Sequence, residues 1–489
     1  MKYISTRDAS HACSAAQAIV RGIAPDGGLY VPEQIPAVEL STLRQFCAMD
    51  YRGRAASIMK LFLEEFSEEE LAGFTKSAYA DNYDDPAIAP TRFLDDRTAF
   101  LELWHGPTCA FKDMALQMLP RLLTASLKKT GEEKQVCILV ATSGDTGKAA
   151  LEGFRDVAGT KIFVFYPDGG VSRIQRLQMV TQEGKNVGVC AVKGNFDDAQ
   201  TGVKTIFGDM AFADALRKRG WFLSSANSIN WGRLLPQIAY YFSAYCDYVN
   251  SGKIALGDKL NFCVPTGNFG NILAGWFARE MGLPAARFIC ASNANNVLTD
   301  FIETGVYDKN RPFHLTISPS MDILVSSNLE RLLYLLTDAR QTKAYMTRLS
   351  SEGRYAVEPE TLRQIRSVFS AGCCDDAATR TAIRETLEQT GYLMDTHTAV
   401  AYKVLCDYRG ATGDETPAVV LSTASPFKFA ADVLSALGVG EREDALSALS
   451  EKTGAAVPRP LDGLDKRMLR FPAVVEKGEM QETVNAFLR

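Results

Sequence analysis

From residue 133 onward, short apolar runs alternate with stretches of helical character, and this alternation constrains the fold more than any other feature of the chain. Val136-Cys137-Ile138-Leu139-Val140 is apolar at every position, the pattern of a strand covered on both faces. A glycine turn and the helical stretch Lys148–Phe154 follow it. Lys161–Phe165 repeats the strand, Arg173–Gln178 the helix, and Asn186–Val192 opens a third unit. Asn261–Pro265 and Arg287–Ala291 are further strands that run into helices, and Ala418–Leu421 is one more. Such alternation with short turns predicts an α/β chain built on parallel sheets flanked by helices. Ligands of sheets like these gather beyond the carboxyl ends of the strands.

The remainder reads differently. Residues 1–90 form an α-rich leader with one glycine-proline turn, Ala24–Pro32. Within it Ser67-Glu68-Glu69-Glu70 has the spacing of a helix capping box, and its acidic run reads as a solvated face. Residues 321–408 are mainly helical, and the last fifty or so carry no chemical signal. A chain of 489 residues has room for two or three domains and an ample core. With 53 basic against 58 acidic side chains, net charge −5 and no basic block, nucleic acid is excluded as a partner. No apolar run reaches the roughly 18 residues that span a bilayer, and Met1–Arg7 lacks the apolar core of a signal peptide, so a cytoplasmic location is expected. None of the eleven cysteines forms a Cys-x-x-Cys pair and the four histidines are scattered, which predicts free thiols and no metal site.

Four motifs and a strand end carry chemistry. Lys112 closes the stretch His105-Gly106-Pro107-Thr108-Cys109-Ala110-Phe111-Lys112-Asp113, where a rigid turn and apolar bulk precede the amine. A lysine so placed and partly desolvated is suited to Schiff-base chemistry with a carbonyl. Thr142-Ser143-Gly144-Asp145-Thr146-Gly147-Lys148 sits where a strand becomes a helix, so free N–H groups and hydroxyls converge for a carboxylate or phosphate. It is not a nucleotide P-loop, because Thr142 and Ala149 stand where that motif needs glycine and a hydroxyl. Gly267-Asn268-Phe269-Gly270-Asn271 offers glycines through which the backbone can approach an anion. Asn227-Ser228-Ile229-Asn230-Trp231-Gly232-Arg233 combines amide, hydroxyl and guanidinium donors suited to a phosphate monoester, or alternatively caps a helix. Last, Thr423 follows the strand at 418–421, where its hydroxyl can face a ring nitrogen, with Ser422 and Ser425 the alternatives.

Taken in chain order, the motifs resemble those of the threonine synthase family, in its longer form, within the second fold type of pyridoxal-phosphate enzymes. The turn at 24–29 and the segment Thr316-Ile317-Ser318-Pro319-Ser320-Met321-Asp322 match the longer form as well. The resemblance implies a leader domain at 1–90 and a catalytic core at 91–440 with a smaller mobile subdomain inserted at roughly 115–215. A C-terminal extension at 441–489 completes the chain. It also implies conversion of O-phospho-L-homoserine and water to L-threonine and phosphate by γ-elimination and β-addition of water. Pyridoxal 5′-phosphate is the implied cofactor, and the chain is expected to act as a monomer or homodimer. Lys112 would be the catalytic lysine and cofactor anchor, with Asp145, Gly267, Asn268, Phe269, Gly270, Asn271 and Thr423 also binding the cofactor. Thr142, Ser143, Gly144, Thr146, Asn227, Ser228 and Arg233 would bind the substrate.

Asp145 departs from the wider fold type, in which an asparagine touches the cofactor's phenolic oxygen. A carboxylate repels a phenolate unless it is protonated or turned towards a donor such as Lys148. Two other functions fit the same motifs: a phospholyase or threonine dehydratase releasing 2-oxobutyrate, and a non-catalytic metabolite-binding relative.

Overall fold

The structure, a computed structural model, describes residues 1–489, side chains included except at position 197. In the leader, β1 (Tyr3–Ser5) pairs antiparallel with β2 (Tyr30–Pro32). β3 (Thr91–Phe93) and β4 (Thr98–Glu102) begin a six-stranded sheet. The chain then builds a second sheet from β5 (Gln135–Ala141), β6 (Thr160–Pro167), β7 (Val187–Val192) and β8 (Trp221–Ser224). It returns to the first with β9 (Leu260–Pro265) and β10 (Ala285–Ser292). β11 (Val306–Asp308) and β12 (Arg354–Ala356) form a detached antiparallel pair. β13 (Phe369–Cys373) and β14 (Ala418–Ser422) complete the large sheet, and β15 (Val474–Val475) joins the small one. The orders are β13-β10-β9-β14-β4-β3 and β15-β7-β6-β5-β8. Within these two sheets every pairing is parallel except β3 with β4.

The strands that matter for function lie at the sheet centres. Every residue of β4, β9 and β14 is buried, which is why their sequences show no regular apolar–polar alternation. These three are neighbours, so the loops that follow them, at 103–111, 266–269 and 423–425, emerge side by side. In the small sheet β5 lies between β6 and β8, and its exit is the loop at 142–144. That sheet extends beyond the insert read at 115–215, because β8 lies at 221–224 and the edge strand comes from 474–475. The C-terminal helix Met480–Phe487 also packs there, with Met480 and Val484 buried against Val203 and Ile206. No helix among the described residues is long and apolar enough to cross a membrane.

The leader shares one hydrophobic core with both sheets, which joins Ile19 and Phe62 to Val140, Val164, Phe262 and Leu421. Its capping box forms, Ser67 Oγ accepting from the Glu70 N–H and the Glu70 carboxylate from the Ser67 N–H. A polar clamp fastens it to the helix Leu329–Leu336. Glu330 takes both Arg7 Nε and Nη2 at 2.8 Å and the Thr6 hydroxyl at 2.6 Å, while Arg331 Nε donates to the Tyr30 carbonyl at 2.9 Å. Breaking a mostly buried pair from one side leaves donors unsatisfied. Glu330→Ala should therefore lower stability by about 2–3 kcal/mol, read as a shift of the urea midpoint, and an unmoved midpoint would show that the clamp adds nothing.

Candidate active site

The turn before Lys112 is built by Asp113. Its carboxylate accepts from the Thr108 N–H at 2.8 Å and the Thr108 hydroxyl at 2.7 Å, and burial pushes it up to about 6. A Cβ at Gly106 would fall 2.6 Å from this carboxylate, so only glycine fits there. Cys109 takes a left-handed backbone, φ 58°, and its carbonyl accepts from the Ser425 N–H at 3.1 Å. The Phe111 N–H donates to the Thr423 carbonyl at 2.8 Å. These bonds join the exits of β4 and β14, placing Thr423 beside the backbone that carries Lys112.

Lys112 opens the helix Lys112–Leu116 with its side chain 10% exposed and its Nζ 4.7 Å from the centre of the Phe111 ring. Burial pushes its amine below the ordinary lysine range, and Asp145, 3.4 Å away, only partly offsets that. Upstream, His105 lies between Asp84 at 2.6 Å and Glu102 at 3.0 Å, with Trp104 stacked on its ring. Burial alone would lower its pKa, but the two carboxylates outweigh that and raise it to about 9.

Asp145 heads the helix Asp145–Phe154 and is almost fully buried. Its Oδ1 accepts from Lys428 Nζ at 2.7 Å and Gln175 Nε2 at 2.9 Å; its Oδ2 faces Lys112 at 3.4 Å and the Ser320 hydroxyl at 3.2 Å. Burial would raise this carboxyl, yet Lys428 first and Lys112 second hold it far below the usual carboxylate range. Of the two options left open by the sequence, the donor-turned one is found, but Lys148 is not the donor. The Lys148 ammonium goes instead to Glu152 at 3.0 Å and to Gln182, because Asp145 already has its donors.

The loop after β5 is closed by Thr142, whose hydroxyl oxygen accepts from the Gly144 and Gly147 N–H groups at 3.0 and 2.9 Å. Gly144 has φ 132°, and a Cβ on it would fall 2.4 Å from the Gln175 amide. The N–H groups of Ser143, Asp145 and Thr146 have no acceptor among the described residues, and the Ser143 hydroxyl has no partner there either.

The loop after β9 makes a second cradle. Its carbonyls are tied away from the site, Gly267 by the Ser326 hydroxyl at 2.7 Å and Asn268 by the Asn328 amide at 3.0 Å. Phe269, at φ 62°, turns the chain into the helix Gly270–Glu280. The N–H groups of Asn268 to Asn271 are left without acceptors among the described residues. The Tyr240 and Tyr241 hydroxyls both lie against Asn271 Oδ1, at 2.6 and 2.9 Å, which fixes the amide and leaves its buried Nδ2 unpartnered. Four free N–H groups and an amide donor at a helix start form a cradle for a multiply charged anion. A Cβ at Gly267 would meet the Ser320 carbonyl at 2.8 Å, so Ser320 closes over this loop while its hydroxyl reaches Asp145.

The third loop holds Arg233, 6% exposed and without a carboxylate within 4 Å among the described residues. Its Nη1 donates to the Ala226 carbonyl at 2.8 Å and its Nη2 to the Thr146 hydroxyl at 3.3 Å; burial alone pulls it down to about 10. Asn230 has a structural task, capping Gly232 and holding the Ile19 carbonyl of the leader at 3.0 Å. The Asn227 amide and Ser228 hydroxyl have no partners among the described residues, and a Cβ on Gly270 would stand 3.7 Å from Ser228 Cβ. The predicted residues thus meet at the carboxyl ends of β4, β5, β8, β9 and β14. Among the hydroxyls at the end of β14, Ser422 Oγ accepts from Trp104 Nε1 and the Thr398 hydroxyl and Ser425 Oγ from the Phe427 N–H, whereas the Thr423 hydroxyl has no partner among the described residues.

Sequence reasoning passed over Lys428, Ser320, Gln175 and Arg331. Lys428 carried a usable signal: in Pro426-Phe427-Lys428-Phe429 it follows a strand-end hydroxyl cluster and repeats the Phe-Lys pattern of Phe111-Lys112.

Three family descriptions match the chain: "Threonine synthase N terminus" over residues 2–79, "Pyridoxal-phosphate dependent enzyme" over 99–424, and "Threonine synthase, C-terminal" over 398–486. Threonine synthase-like 1 of Homo sapiens is 39% identical over 467 residues, covering 91% of this chain and 62% of that protein. The chain therefore spans under two thirds of that relative's length. Threonine synthase of Pseudomonas aeruginosa is 39% identical over 447 residues, covering 90% of this chain and 91% of that one. Among solved structures, the pyridoxal-phosphate-bound threonine synthase from Brucella melitensis superposes with a TM-score of 0.89 at 37% identity, covering 100% of both chains. The yeast threonine synthase also gives 0.89, at 33% identity, covering 100% of this chain and 98% of that one.

The raised pKa of His105 links stability to pH. The imidazolium pairs contribute fully below about 6.5, the unfolded value, and are lost as pH rises through about 9. The parent should lose about 2–3 kcal/mol relative to His105→Phe between these limits, a partly exposed Asp84 reducing the full linkage value. Parallel pH profiles of urea stability for the two proteins would contradict this.

Proposed function

The chain belongs to the threonine synthase family of pyridoxal-phosphate-dependent enzymes, and on that premise we propose that it converts O-phospho-L-homoserine and water to L-threonine and phosphate. The observation that carries this reading is Arg233: a buried guanidinium with no carboxylate partner among the described residues, beside Thr146, Asn227 and Ser228, suits a phosphorylated substrate. A substrate without phosphate would leave that cation uncompensated.

We assign the residues as follows. Gly267, Asn268, Phe269, Gly270 and Asn271 would hold the cofactor phosphate, a fit supported by the free N–H groups and the orphaned Asn271 amide. Thr423, with its uncommitted hydroxyl, would face the ring nitrogen and keep it neutral, and Asp145 would stand beside the anchoring Lys112. When bound, the cofactor supplies an electron sink for charge that develops next to the amino-bearing carbon. The chain's own groups do the rest. Ser143 and the free N–H groups of Asp145 and Thr146, in the loop that Thr142 closes through Gly144 and Gly147, orient the substrate carboxylate. Lys112, its amine depressed by burial, moves protons at Cα and Cβ once freed from anchoring. Arg233, Thr146, Asn227 and Ser228 hold the phosphate as its bond to Cγ breaks, stabilising the departing charge. Water then adds at Cβ as a proton is delivered to Cγ. In this reading the chain acts in the cytoplasm, as a monomer or homodimer.

The test is to incubate the cofactor-loaded protein with O-phospho-L-homoserine and resolve threonine and phosphate from 2-oxobutyrate. Threonine is expected, with none from Lys112→Ala; 2-oxobutyrate as the main product would replace this reading with the phospholyase one. Arg233→Ala should lower kcat/KM by about 2–4 kcal/mol, roughly 30- to 1,000-fold, while the visible spectrum of bound cofactor is kept. Loss of the cofactor with normal residual kinetics would move Arg233 out of the substrate site.

A further inference from the structure

Lys428 is fully buried on the turn Pro426–Phe429, and its ammonium has two acceptors, the Thr108 carbonyl at 2.9 Å and Asp145 Oδ1 at 2.7 Å. Asp145 is its one counter-charge within 4 Å among the described residues. The oxygens of Asp145 divide their work: Oδ1 takes Lys428 and Gln175, the closer contacts, and Oδ2 takes Lys112 and Ser320, the longer ones. The groups facing Lys112 are thus Asp145 on one helix, Lys428 on the turn after β14, Arg233 beyond Thr146, and the Phe111 ring.

We propose that Lys428 is a positioning residue that serves as the standing counter-ion of Asp145, so that Lys112 is released from that duty and can stand as a free amine beside a buried carboxylate. The inference rests on the reading of Lys112 as the cofactor's anchor. Lys112 must lose its proton before its nitrogen bonds to the aldehyde carbon, with the aldehyde oxygen leaving as water. A carboxylate with no other cation would hold that proton on Lys112, and a carboxylate already paired does so less. The pairing accounts for an aspartate at position 145: the carboxylate and Lys428 enter the site as a neutral pair.

The experiment adds pyridoxal phosphate to cofactor-free protein and follows the visible absorbance gained across pH, for the parent, Lys428→Met, Asp145→Asn and the double variant. Lys428→Met should raise the pH midpoint of the gain by about one to two units. Asp145→Asn in that background should bring it back to the parental midpoint or below. In urea unfolding of the cofactor-free proteins, Lys428→Met should be the least stable, with the double variant recovering part of the loss. If Lys428→Met does not fold, a folded double variant that still gains the absorbance supports the pairing. A Lys428→Met midpoint equal to the parent's, or a double variant no better than Lys428→Met, overturns the proposal. A parent that gains no absorbance overturns the reading of Lys112 itself.

Discussion

A buried carboxylate is costly unless donors surround it, and Asp145 has four, each from a different stretch of chain. Lys112 follows β4, Gln175 follows β6, Ser320 belongs to a long segment between β11 and β12, and Lys428 follows β14. Asp145 itself follows β5, so one side chain ties the carboxyl ends of the two sheets together. The geometry around it is correspondingly strict. Gly144 must lack a Cβ because Gln175 occupies its place, and Gly267 because Ser320 does.

The other elements hold this junction from behind. Trp231, two residues before Arg233, packs against Tyr3 and Phe62 of the leader at ring distances of 5.5 and 5.6 Å and against Phe277 at 5.4 Å. Arg331, wholly buried, binds the Tyr30, Ser228 and Ile229 carbonyls and the Asn328 amide. Asn328 in turn ties back the Asn268 carbonyl of the second cradle. The leader, the loops at 227–233 and 267–271 and the helix from 329 are thereby linked through one guanidinium, which gives the leader a physical role as a support for the site.

Much of this was legible because the informative features are local. Strands buried on both faces announce themselves as unbroken apolar runs, and loops that approach anions need glycine at fixed places, so β5, β9, β14 and the glycines at 144, 267 and 270 could be read directly. Lys112 stood out through its own neighbours. The donors of Asp145 were not legible, because they converge only on folding from positions 30 to 283 residues away. Lys148, three residues on, lies on the same helix face as Asp145. Glu152, four residues further, was the better partner once Asp145 was saturated. β15 was invisible for a simpler reason: two residues make too short a run to show a pattern.

The central claim is that Asp145 is ionised in the folded protein and held so by Lys428. Infrared difference spectroscopy of the cofactor-free parent against Asp145→Asn, near neutral pH, measures this directly. The account predicts that the substitution removes an ionised-carboxylate stretch and that no protonated-carboxyl stretch is lost with it. A protonated-carboxyl band present in the parent and absent from Asp145→Asn would contradict it.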